Sequence, residues 1–265
     1  MKKVKLQAHR GVSSEYPENT MAAFYAAIEE GYDIIECDPK YTKDGEIVIL
    51  HDRTLNKTAR RISDGSALEE PKSIYETTLA QTKEFEYGSW KDEKFKGEGM
   101  PLLSDLLDFA ENTKIPIKID NVWEKFIPEM QDKLFAAVAE RGDRINVGFT
   151  CALPENLERV AVALPNADLH YDGKDLSDEA LSRVAEIAKG HHLYIWVCFD
   201  NDITKWFKGE KATQKLCERV RRYGELGIWI LSKREELTPA IIEYGAQVIE
   251  TTGHIKPEWL SDFEA

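Results

Sequence analysis

Short β-branched runs alternate with amphipathic helical runs along nearly the whole chain. This alternation constrains the fold more than any other feature, because it is the pattern of a parallel sheet wrapped by helices. "VKLQAHRG", "DIIECD", "EIVILHD", "IPIKID", "INVGFT", "ADLHYD", "LYIWVCF", "LGIWIL" and "AQVIETTG" read as strands. The segments between most of them carry helical spacing. "NTMAAFYAAIEEG" has Asn19 or Thr20 to cap its start and Gly31 after its end. "WEKFIPEMQDKLFAAVAERG" reads as one helix with a kink at its internal proline, and "EELTPAIIEYG" as another. Nine candidate strands stand where a closed (β/α)8 TIM barrel needs eight, so either "ADLHYD" or "LYIWVCF" is expected to be an extra element. No linker or composition break divides residues 1–265, which predicts a single barrel domain.

Composition excludes several classes. A net charge of −13 without any long basic run argues against nucleic acid as a partner. An anionic substrate therefore needs a local positive centre. The four cysteines, Cys37, Cys151, Cys198 and Cys217, are scattered and form no CxxC pair, which argues for reduced core thiols rather than a zinc site. No apolar stretch is long enough to span a membrane. The first strand begins almost at Met1, which leaves no room for a signal peptide, so a cytoplasmic location is expected.

Side chains alternate along a strand, so Glu36 and Asp38 in "IIECD" share one face. Two adjacent carboxylates raise each other's pKa unless a cation sits between them, and hard oxygen ligands suit Mg²⁺ or Ca²⁺. Taken alone, such a pair is also what a solvated strand end looks like. His9 ends the first strand and His51 the third, so a barrel would aim both at its C-terminal mouth, where they could serve as general base and general acid. A lone histidine is commonly structural; two at matching strand ends beside Arg10 and a carboxylate pair shift the balance towards chemistry. Arg10 has the geometry for bidentate phosphate binding, or for a salt bridge to a neighbouring acid.

"HRG", "PENT", "IECD", "TKDG" and "VILHD" occur in order, followed by "TLAQTKEFEYGSWKDEKFKGEGMPLLSDLL" and, late in the chain, "IWILS" and "YGAQVIETTG". This series resembles the glycerophosphodiester phosphodiesterase family, whose barrel is related to that of the phosphoinositide-specific phospholipases C. The likeness is dense over residues 6–110 and thinner to about residue 255. The resemblance implies that His9 and His51 are the acid–base pair, that Arg10 binds the phosphate, that Glu36 and Asp38 hold a divalent metal, and that residues 53–100 form an insertion after the third strand. It implies hydrolysis of a small-molecule phosphodiester to an alcohol and a phosphomonoester such as glycerol 3-phosphate. His9 would activate water or a neighbouring substrate hydroxyl, and His51 would protonate the departing alkoxide; attack by an internal hydroxyl would instead give a cyclic phosphate. "PENT" turns the chain into the first helix, with Pro17, Asn19 and Thr20 structural and Glu18 near enough to the mouth to reach a ligand.

The chain's main departure from the family is on the fourth strand. The family carries a glutamate, one residue, then a lysine on its fourth strand, the glutamate being the third metal ligand; here the aligned positions are Lys118 and Asp120. Asp120 can complete the metal site from one rung further on. Alternatively, Lys118 supplies the positive charge itself, as a phosphate-binding group or in place of the metal in a metal-independent phosphodiesterase or cyclising lyase. A third outcome is lost catalysis, leaving a barrel that binds a phosphorylated ligand. Near the end, "VIETT" loses an acid at Thr252 and gains one at Glu250 relative to the family. Phe149, Tyr171, Trp196 and Trp229 are candidate pocket walls. Nothing in the sequence specifies an oligomeric state.

Overall fold

The alternating runs form strands whose alternate residues face in and out. The computed structural model describes residues 3–263. Strands β1 (Lys5–His9) and β2 (Ile34–Cys37) flank helix α1 (Met21–Glu29). An excursion follows, containing β3 (Pro39–Tyr41), β4 (Ile47–Ile49), β5 (Arg60–Arg61), α2 (Leu79–Thr82) and β6 (Phe85–Glu86). Regular alternation then resumes with α3 (Leu103–Thr113), β7 (Ile117–Ile119), α4 (Pro128–Arg141), β8 (Val147–Cys151), α5 (Pro154–Ala163) and β9 (Asp168–Tyr171). It ends with α6 (Asp178–Ile187), β10 (Leu193–Cys198), α7 (Gln214–Val220), β11 (Glu225–Leu231) and β12 (Val248–Thr251). The closed parallel barrel runs β1-β12-β11-β10-β9-β8-β7-β2.

Both "ADLHYD" and "LYIWVCF" are therefore barrel strands, and the surplus strand is "EIVILHD". Its core, β4, pairs antiparallel with β3, with Tyr41 opposite Ile47 and Pro39 opposite Ile49. Adjacent parallel strands need a crossover of a dozen or more residues, and the link from Tyr41 to Ile47 is far too short for one. It is a tight turn instead, in which Gly45 (φ +80°) donates to the Thr42 carbonyl at 2.9 Å. The insertion consequently starts at Pro39 rather than residue 53, and it follows the second barrel strand rather than the third. It has a small core of its own, including Val48, Leu55, Ile74 and Phe85.

Two helix expectations are also corrected. Pro128 does not kink a continuous helix. It occupies the first turn of α4, where its missing N–H costs nothing, and a separate 3₁₀ segment covers Asn121–Lys125. "EELTPAIIEYG" is a 3₁₀ turn, Arg234–Glu236, followed by a π-helical turn, Pro239–Glu243, because Pro239 cannot donate into a regular ladder. At α1 the cap is Thr20, whose hydroxyl accepts from the Ala23 N–H, and not Asn19.

The main core lies between barrel and helices, formed by outward residues such as Leu6, Ile35, Ile119, Leu169 and Ile228. Inside the barrel, large rings lie over glycines of the neighbouring strands. A side chain at Gly227 would meet the Trp196 ring at 2.6 Å, and one at Gly148 would meet the His170 imidazole. The barrel is thus a packed interior whose functional surface is at its C-terminal mouth. All four cysteines are buried and free.

Candidate active site

At the end of β1 the chain turns sharply. Arg10 (φ +59°) and Gly11 (φ +76°) are both left-handed, and a Cβ on Gly11 would lie 2.6 Å from the Ala23 carbonyl oxygen. A non-glycine residue held in this region stores strain that surrounding contacts must sustain. Here the Arg10 N–H donates to Glu36 Oε2 at 2.9 Å, and its guanidinium lies 3.1 Å from Asp38 Oδ2 and donates to Glu18 Oε1 at 3.2 Å. Glu18 also accepts from Lys57 at 2.7 Å, so it tethers the insertion to the mouth. Asn19, left-handed at φ +56°, donates its amide to Asp38 Oδ2 at 2.8 Å. The structural role expected for Asn19 is therefore exercised on an acid of the site.

Glu36, Asp38 and Asp120 come together: one oxygen from each lies within 4.8 Å of the others. Asp120 stands beyond β7, where it accepts from the Val122 N–H at 3.1 Å and caps the Asn121–Lys125 turn. Burial and then the charge of Asp38 push the Asp120 carboxyl up to about 6, and the same two causes raise Glu36 well above the usual carboxylate range. Asp38 goes the other way. Burial alone would raise it, but the Arg10 guanidinium and the two histidines, His51 and His9, bring it below its ordinary value. Among the described residues, the buried Glu36 Oε1 has no hydrogen-bond partner. Three converging carboxylates, one with an orphaned oxygen, fit a hard divalent cation.

Lys118 lies near this cluster but makes its ion pair elsewhere. It is buried beside Glu36 in the strand register, yet its ammonium donates to Glu250 at 2.9 Å and lies 3.9 Å from the Trp196 ring centroid. Gln7 donates to the same Glu250 oxygen. The Lys118 ammonium, expected to bind phosphate or to take the metal's place, is paired with Glu250 in this structure. The acid that "VIETT" gains is its partner.

His9 Nε2 lies 3.9 Å from Glu36 Oε2. Burial, opposed by the charge of Glu250, lowers the His9 pKa to about 4, so the ring is neutral near pH 7. His51 does not end a barrel strand. It follows β4, whose end is anchored by the Leu50 N–H donating to the Asp38 carbonyl at 2.8 Å, and this brings His51 to the mouth from the insertion. Its Nδ1 lies 2.6 Å from Asp52 Oδ1. A carboxylate there holds the proton on Nδ1 and leaves Nε2 as the working nitrogen.

Beside this cluster, a cleft of about 510 Å³ opens between the loops after β7 to β10 and strand β11. Trp196 and Trp229 line it. Phe149 and Tyr171 do not. Both point outward into the core, Phe149 against Trp123 and Phe135, and the Tyr171 hydroxyl donates to the Asp175 carbonyl at 3.0 Å. The strand parity that puts Glu36 inward would have placed both rings outside. Sequence reasoning also missed Asp52, the neighbour of His51 in "VILHD", and Asp172, Trp206 and Phe207 of the cleft. Burial, only partly offset by the charge of Lys118, pushes the Asp172 carboxyl up to about 7.

A model of the glycerophosphoryl diester phosphodiesterase family matches residues 9–224. A probable glycerophosphodiester phosphodiesterase 1 of Mycobacterium tuberculosis is 31% identical over 205 residues, covering 70% of this chain and 71% of that protein. Among solved structures, a phosphodiesterase of Oleispira antarctica in complex with the product sn-glycerol-3-phosphate superposes with a TM-score of 0.74 at 19% identity, over 98% of this chain and 97% of that one. A glycerophosphoryl diester phosphodiesterase from Parabacteroides distasonis gives a TM-score of 0.71 at 19% identity, over 98% and 86%. At these identities the structures speak for the shared barrel.

Proposed function

The chain belongs to the glycerophosphoryl diester phosphodiesterase family and is a phosphoric diester hydrolase; from that premise we propose a metal-assisted hydrolysis in which His9 and His51 move the protons. The observation that carries the reading is the convergence of Glu36, Asp38 and Asp120 beside Arg10, with a buried Glu36 oxygen that no described residue satisfies. These three carboxylates would hold Mg²⁺ or Ca²⁺. Bound there, a divalent ion would draw charge from the phosphoryl oxygens and so ease attack at phosphorus.

The remaining work falls to the chain's own groups. Arg10 is held at the mouth by Asp38 and Glu18, and its guanidinium is the one cation so placed to meet the phosphate among the groups expected at the site. His9, neutral near pH 7, accepts a proton from the attacking water. The water oxygen bonds to phosphorus, the ester P–O bond breaks, and His51 gives a proton to the departing alkoxide. Asp52 stabilises the imidazolium that His51 must be beforehand. The products are an alcohol and a phosphomonoester, with glycerol 3-phosphate the expected monoester from a glycerophosphodiester.

An ammonium paired with Glu250 counts against the metal-independent alternative, which needs Lys118 in the metal's position. Hydrolysis of glycerophosphocholine followed by ³¹P NMR, with and without EDTA, tests the reading. His51→Ala is expected to lower kcat by roughly 10²-fold or more. Turnover near the wild-type rate in His51→Ala would remove that histidine from the mechanism, and undiminished turnover in EDTA would remove the metal.

A further inference from the structure

Among the described residues two lysines are buried, and they are provided for differently. Lys118 has the Glu250 carboxylate and the face of the Trp196 ring. Lys40, on β3, is 3% exposed, about as buried as Glu36 and Asp38, and has neither kind of partner among the described residues. Its ammonium makes one long hydrogen bond, 3.3 Å, to the carbonyl of the adjacent Pro39. An ammonium kept in such a place is costly, because its water is lost and no opposite charge touches it in exchange.

The charges around Lys40 are those of the reacting site. Burial works against its charge; Asp38 and Asp120 work for it, Arg10 is the like charge nearby, and Asp52 is a further acid. These are two acids of the candidate metal cluster, the arginine at the mouth and the partner of His51. The topology explains the gathering. Lys40 stands opposite Val48 in the β3–β4 hairpin, and β4 runs on to His51, so the hairpin that delivers His51 to the mouth delivers Lys40 with it. Tyr41, its neighbour, packs against Tyr75 and Phe126, and alternation along β3 turns Lys40 to the other face. A divalent ion in the acidic cluster would take up the charge of Asp38 and Asp120, and Lys40 would then need an anion of its own.

We propose that Lys40 is a second phosphate-binding residue of the site, its ammonium meeting a non-bridging oxygen of the diester from the insertion side while Arg10 holds the phosphate from the β1 side. The assignment rests on the hydrolase reading above. A lysine binds phosphate as a point charge. Charge builds on the non-bridging oxygens as water attacks phosphorus, so Lys40 pulls harder on the transition state than on the bound diester.

Lys40→Met nearly keeps the length of the side chain and removes its charge. It is expected to lower kcat/KM for glycerophosphocholine by about 10²-fold. The melting temperature in EDTA should stay or rise, because a buried charge without an ion pair is gone. Two calorimetric titrations read binding apart from turnover. Affinity for sn-glycerol 3-phosphate in the presence of Ca²⁺ should fall by about tenfold or more, as a charged hydrogen bond is lost. Affinity for Ca²⁺ alone should hold or tighten, since the variant removes a like charge. Unchanged binding of glycerol 3-phosphate would overturn the assignment, and a lowered melting temperature would then make Lys40 a structural counter-charge of the acids. Loss of Ca²⁺ binding, or loss of the fold in both Lys40→Met and Lys40→Gln, would overturn it as well. A wild-type protein that hydrolyses no diester would sink the hydrolase reading, and the glycerol 3-phosphate titration would still decide Lys40.

Discussion

Two groups of buried carboxylates stand at the mouth of this barrel, and they solve the same problem in different ways. On β12, Glu250 accepts at Oε2 both from Lys118, at 2.9 Å, and from Gln7. Burial would raise its pKa, but Lys118 and His9 bring it below the ordinary glutamate value. Near the ends of β2 and β7, Glu36 is just as buried and Asp120 partly so, and both are raised, by burial and by Asp38. The residue types are alike; the balance of charge around them differs. Lys118 lies next to Glu36 in the register, yet its hydrogen bond goes to Glu250. Had the lysine served the acidic cluster, Glu250 would be the orphan. The comparison therefore says where a positive charge is built in and where one has to be supplied.

The sharpest break of this comparison is Glu36→Gln. If the orphaned carboxylate exists to receive a cation, removing its charge should cost about 10³-fold in kcat/KM, the scale set by loss of a group that stabilises transition-state charge. The same change should leave metal-free stability unaltered or higher, because it discharges a group that burial disfavours. Urea melts in EDTA beside steady-state rates check both halves. A variant that is active, or one that is unfolded, would place Glu36 with Glu250 as a structural acid.

The second prediction concerns the compensated side. Lys118→Met leaves Glu250 buried without its cation and is expected to cost roughly 3–5 kcal/mol, as broken buried ion pairs do. Adding Glu250→Gln should recover most of that loss, since an amide can still accept from Gln7 without a charge. Denaturant titrations of the two single variants and the double variant measure the coupling. Full stability in Lys118→Met together with a large fall in kcat/KM would mean that Lys118 serves the phosphate after all.

The same contrast explains what the sequence disclosed. The barrel was legible because its strands carry outward aliphatic residues at period two, and the helices between them hold their own spacing. "EIVILHD" misled because its pattern is that of a barrel strand, and only the link of a few residues back to "DIIECD" forbids it. His9, Glu36 and Asp38 were readable because local parity aims them inward. The partner of Lys118 was not, since residues 118 and 250 meet only across the closed barrel and local sequence carries no trace of that meeting. Glu250 reads as a gained acid and Lys118 and Asp120 as an altered fourth-strand motif, but nothing local joins the two. His51 reached its expected place by another route, carried on the insertion rather than a barrel strand. Phe149 and Tyr171 were misplaced by residue type, which parity should have overruled.

The smallest effect expected is the most direct report on the proposed cation. An aspartate in an unfolded chain titrates near 3.9, whereas Asp120 in the fold titrates at about 6, and Glu36 is shifted the same way. The fold thus favours their protonated forms. That contribution to stability is fully present below about pH 4 and is lost as the pH rises through 6. His9 runs in the opposite sense. Its pKa is about 4 in the fold against 6.5 ordinarily, so its contribution is present above pH 6.5 and lost as the pH falls through 4. In EDTA the two trends oppose each other and the melting temperature should vary little across this window. A divalent ion acts on the carboxylates alone, because binding needs them ionised. At a concentration of 100 times Kd it would add about 2.7 kcal/mol, or on the order of 5–10 °C for a chain of this size. The shift with Ca²⁺ or Mg²⁺ should therefore be close to zero at pH 4.5 and largest above pH 7. Asp120→Asn should shrink it, while a Glu250 variant that still folds should leave it in place. Differential scanning calorimetry at the two pH values decides the matter: an ion-induced shift independent of pH, or one that Asp120→Asn does not reduce, would show that the ion binds elsewhere and that the raised carboxyls are neutral by design.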